Sequence, residues 1–133
     1  MKKVILMFAV ILSVVGCAEK GEYEQAVAKQ VARDKDVQDY KIQPEKMVAC
    51  VVDTSSKKMP GLVPFDPDRR QAYQNYTKML NLYESSDPKK MLEELRDTFG
   101  SPKALADAHS NYAESTMECV SGLVTSEEEK LTQ

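Results

Sequence analysis

Apolar positions beyond residue 43 recur at three- and four-residue steps, and proline repeatedly opens a run. Pro44, Pro67, Pro88 and Pro102 each begin such a segment. Proline suits the first turn of a helix, where its missing N–H would lack a partner anyway. Asp66, Asp87 and Ser101 stand directly before three of these prolines, and each offers a side-chain oxygen to an unpaired amide of the first turn. The pattern predicts helices from Pro44 to about Lys57, Pro67 to about Ser85, Pro88 to Phe99, and Pro102 to about Val120. Their apolar faces are Met47, Val48, Val51 and Val52; then Ala72, Tyr73, Tyr76, Met79, Leu80 and Tyr83; then Met91, Leu92, Leu95 and Phe99; and last Leu105, Ala108, Tyr112 and Cys119. Gly100 falls where a helix C-terminus needs a left-handed residue. No strand-like alternation runs to a useful length. The expected fold is all-α, a single compact bundle of four or five short helices.

Three stretches fit this scheme less directly. Tyr23 to Tyr40 is heavily charged, with a thin stripe of Tyr23, Val27 and Val31. Residues 17–43 therefore read as a surface helix or a tether, ahead of a helical domain at 44–124. Lys57-Lys58-Met59-Pro60-Gly61 ends the first proline-led helix, and Leu62-Val63-Pro64-Phe65 forms an apolar connector too rich in proline for a central strand. Either that connector folds back over the core, or Leu62, Val63 and Phe65 form an exposed edge that binds a partner. Gly122 is expected to end the last helix, leaving residues 125–133 as a charged tail.

The front of the chain has a different character. Met1-Lys2-Lys3 is basic, Val4 to Val15 is an apolar run broken only by Ser13, and Val14-Val15-Gly16-Cys17 follows. A bilayer-crossing helix needs about 20 apolar residues, so this run is too short to span and suits a secretory signal. Residues 14–17 resemble the lipobox of bacterial lipoproteins, an aliphatic residue and a small or aliphatic one before Gly or Ala, then Cys. The resemblance covers residues 1–17 alone. It implies a signal peptide at 1–16, cleavage before Cys17, diacylglycerol on the Cys17 sulfur and a further acyl chain, such as palmitate, on the new amino group. Two chains anchor stably where one is marginal. In a two-membrane cell, Ala18, in place of an aspartate, implies export to the outer membrane, facing the periplasm.

Processing of this kind removes two lysines and no acid, taking the formal charge of the 133-residue chain from −3 to −5. An acidic surface argues against nucleic-acid binding and against electrostatic attraction to anionic head groups. The membrane contact is then expected from lipid, and an envelope protein is the expected partner. Outside the inner membrane the environment is oxidising, so Cys50 and Cys119 are expected to pair.

Candidate chemistry is sparse. His109 is the only histidine, set beside an apolar stripe, where a packed or half-exposed ring is the expectation. A Cys–His pair would compete with the disulfide for the same sulfur. Met47, Met59, Met79, Met91 and Met117 are scattered and read as core filling, as do Tyr73, Tyr76 and Tyr83. No catalytic set, metal site or cofactor is expected. The leading expectation is a non-enzymatic protein-binding or assembly role at the membrane. Pilotin-like, exclusion and immunity lipoproteins share the outline of size and leader. A small-ligand carrier with a Tyr- and Met-lined cavity, or an enzyme working through His109, are the alternatives from other classes.

Overall fold

A computed structural model of the chain describes residues 15–131, with side chains from 18 to 129. The leader reading rests largely on residues 1–14 and on the Cys17 side chain, which lie outside these described residues. The elements are α1 (Val15–Arg33), α2 (Lys35–Asp39), α3 (Pro44–Ser56), α4 (Pro67–Leu80), a short 3-10 turn (Leu82–Glu84), α5 (Pro88–Thr98) and α6 (Pro102–Leu131). The described residues form helices and connections, with no strand.

The proline-led starts form as their sequences dictate. Asp66 accepts from the Asp68 amide at 3.0 Å, Asp87 from Lys90 at 3.0 Å and Ser101 from Ala104 at 3.0 Å. Gly100 takes φ +88° after α5, the left-handed conformation that lets the chain turn into α6.

Helix α1 packs against α3 and α4, and α3 packs against α6. The residue pairs fix the directions. Glu19 meets Arg70, Tyr23 meets Tyr73, and Gln30 donates to the Leu80 carbonyl, so α1 and α4 run parallel. Tyr23 meets Ser55 and Ala28 shares a cleft with Pro44 and Glu45, while Lys46 meets Glu127 and Asn111 meets Ser55, so α3 runs antiparallel to both α1 and α6. One end of the bundle therefore gathers the starts of α1 and α4, the end of α3 and the segment joining α3 to α4. A disulfide joins Cys50 on α3 to Cys119 on α6, 69 residues apart, which fastens the antiparallel pair.

Three expectations need correction. The stripe Tyr23, Val27 and Val31 is buried together with Ala26. Helix α1 is thus a central core element, neither a surface helix nor a tether, because both α3 and α4 close over its apolar side. The α4 helix stops at Leu80 and the chain turns through Leu82–Glu84, which throws Tyr83 outward at 90% exposure. Finally, α6 does not exit at Gly122. It continues to Leu131, because Leu123 and Val124 still pack against the core and a single glycine costs a helix only about 1 kcal/mol.

A polar chain threads the core and touches four helices. Ser55 on α3 donates to the Val51 carbonyl at 2.7 Å; its single proton thus used, its oxygen accepts from the Tyr23 hydroxyl of α1 at 2.8 Å. The Ser55 carbonyl accepts from Asn111 Nδ2 of α6 at 3.0 Å, and the same nitrogen reaches Tyr76 Oη of α4 at 2.9 Å. Burial raises the Tyr23 hydroxyl far above the ordinary tyrosine range and raises Tyr76 too, so both stay protonated. A buried network of matched donors and acceptors specifies which helix faces meet.

Candidate functional site

The segment from Lys57 to Asp66 is the most exposed apolar feature among the described residues. Leu62 is 93% exposed and Phe65 73%, with Val63 also open to solvent; Pro60 and Pro64 flank them on the surface. Five apolar residues thus occupy six consecutive positions without being buried.

This exposure is built in. Arg69, on the first turns of α4, reaches back under the segment and donates to the carbonyls of Ser56, Met59, Pro60 and Gly61. Asp66 accepts from the Leu62 amide at 3.2 Å while capping α4. Met59 is buried as the inward pin of the segment. Gly61 sits at φ +83°, and a Cβ there would stand 2.6 Å from the Arg69 amide nitrogen, so only glycine lets the loop backbone approach the first turn of α4 this closely. With its carbonyls drawn inward to one cation, the segment turns its apolar side chains out.

The same end of the bundle carries the start of α1. Glu19 is buried, and its carboxylate accepts from Arg70 Nε at 3.0 Å and Nη2 at 2.6 Å. The Arg70 hydrogen bond holds the Glu19 carboxyl below its ordinary range and raises the guanidinium in turn. Pro64 shares a shallow cleft with Lys20 and Glu24 of α1. Position 17 lies in α1, two residues before Glu19.

Beside the loop, Pro60 and Lys58 edge an open cleft of about 570 Å³ between α4 and α6, floored by Tyr76, Phe99 and Ala108. Asn111 also borders it, but its Oδ1, with no hydrogen-bond partner among the described residues, is buried away from solvent.

His109 is exposed rather than packed and borders a separate groove of about 540 Å³ with Leu105, Tyr83 and Leu92. Met47, Met59 and Met79 fill the core, but Met117 is 73% exposed. Among the described residues no group of three or more His, Cys, Asp or Glu is placed to hold a metal, and no helix is long and apolar enough to cross a membrane. The structure joins Cys50 to Cys119 and leaves Leu62, Val63 and Phe65 outward. Sequence reasoning missed Arg69, Gly61, Ser55 and Asn111. Only Gly61, after Met59-Pro60, carried a local signal.

No protein-family model matches this chain, nor does any curated protein or solved structure.

Proposed function

We propose that this chain is a bacterial envelope lipoprotein, anchored through Cys17 and serving a non-enzymatic docking or assembly role at the periplasmic face of the outer membrane. The basic start, short apolar run and Val14-Val15-Gly16-Cys17 support the anchor. The observation that carries the role is the absence of slack behind it. Glu19 is already buried and bonded to Arg70, so only Ala18 separates position 17 from the folded core. Two residues of chain reach at most about 7 Å. A lipid at position 17 would thus hold the bundle against the bilayer in one orientation, end-on with the α1 and α4 starts inward. Such a mount suits presentation of a rigid surface to a membrane-proximal partner more than a search through the periplasm.

Fractionation of cells expressing the full-length chain tests this. The wild type is expected in the outer-membrane fraction, and Cys17→Ser is expected to leave it. A Cys17→Ser chain that stays with the membranes would overturn the reading.

A further inference from the structure

We infer that the segment Pro60 to Phe65 is a second membrane contact, seated in the interfacial layer of the bilayer that holds the lipid on Cys17. This rests on the lipoprotein reading above and adds the partner of the exposed loop.

Position and chemistry both point to lipid. Helices α1 and α4 run parallel, with Glu19 level with Arg70. Position 17 precedes Glu19 by two residues, about 3 Å of helix rise, while Asp66 precedes Arg70 by four, about 6 Å. Gly61 lies against Arg69 and Pro64 beside Lys20 and Glu24, so the loop before Asp66 flanks the end of the bundle that carries position 17, within about two turns of helix of it. With position 17 at the bilayer, the exposed Leu62 and Phe65 stand beside the interfacial layer, and a tilt of the bundle toward the loop seats them in it.

The charges nearby agree with an apolar contact. Arg70 is paired with Glu19, Lys20 with Glu24, Lys57 with Asp53 and Lys58 with Glu114, while Arg69 is turned inward onto the loop carbonyls. The end offers aliphatic and aromatic side chains to lipid, with its cations already engaged. Because Arg69 and Asp66 hold the loop in shape, insertion costs little further ordering. Anchor and loop together make two points of attachment, which limit tilting of the bundle.

The chain contains no tryptophan, so one introduced residue is a clean reporter. Full-length Phe65→Trp and Tyr83→Trp chains would be purified with their native N-terminus and reconstituted into phosphatidylcholine vesicles with or without brominated acyl chains. Tyr83 is the control, because neighbouring Glu84 pairs with Lys29 and Arg33 at the opposite end of α1. Phe65→Trp is expected to shift to the blue and lose most of its emission to the bromines, and Tyr83→Trp to do neither. Both side chains are exposed, so folding should survive each change. Vesicle-floating, Cys17-lipidated protein in which Phe65→Trp is quenched no more than Tyr83→Trp would overturn the loop contact while leaving the anchor standing. Protein with an unmodified Cys17 that fails to float would remove the anchor, and the loop contact with it.

Discussion

Arg69 does more for this structure than its place in a charged stretch suggests. Four carbonyls converge on its guanidinium, and hydrogen bonds to a charged group are the stronger kind. Arg69→Ala is expected to cost about 2 kcal/mol in urea unfolding and to open the loop to proteases. Gly61→Ala should cost a similar amount, about 2 kcal/mol, because the new Cβ meets the Arg69 backbone at a φ that alanine resists. The tyrosines give a matched contrast. Tyr23→Ala should lose about 4 kcal/mol, as for a large core truncation, whereas Tyr83→Ala should stay within about 0.5 kcal/mol. Both sat on helical apolar stripes in the sequence. What separates them is where α4 stops, and Asn81-Leu82 carries no strong breaker to mark it. Ser55 and Asn111 were equally illegible, since a polar residue within a helix announces a buried network only when its partners on other helices are known.

At the level of elements, the proline-led starts were legible because capping is local. Asp66, Asp87 and Ser101 each lie within three residues of the amide they cap. Helix α1 was not, because its burial comes from α3 and α4 closing over a narrow stripe, and charge density says little about what packs on the other side. The end of α6 failed for the same reason. Leu123 and Val124 pack against the core beyond the glycine that alone argues for an end. Deleting residues 122–133 is therefore expected to cost about 2 kcal/mol, measured by chemical unfolding, from two partly buried aliphatic side chains. The Cys50–Cys119 pairing was legible from the cysteine count and the compartment that the leader implies. Reducing it should lower stability by about 4 kcal/mol, read as a fall in the unfolding midpoint with reductant present.

For the molecule as a whole, the two ends differ in chemistry. The end with the 57–66 segment exposes Leu62 and Phe65, while the other exposes Tyr83 beside a clamp of Glu84 with Lys29 and Arg33 at 3.0 and 2.8 Å. Hydrogen bonds from Lys29 and then Arg33 hold the Glu84 carboxyl below its ordinary range, as Arg70 does for Glu19. Carboxyls lowered in the folded state stabilise it above the ordinary carboxylate range and lose that effect as pH falls through the lowered values. Glu19→Gln and Glu84→Gln should each flatten the acid limb of the melting temperature against pH. Fold class was within reach of the sequence because helical periodicity repeats along the chain. The packing of the start of α1 against α4 was not, since it depends on Glu19 and Arg70 meeting across 51 positions. The central claim is that position 17 carries lipid and is the mature N-terminus. Intact-mass and peptide mass spectrometry of the protein extracted from its own membranes tests it most directly. The account predicts an N-terminal peptide that begins at Cys17 with diacylglycerol on its sulfur. A mature protein that keeps residues 1–16, or one with a free thiol at Cys17, would contradict it.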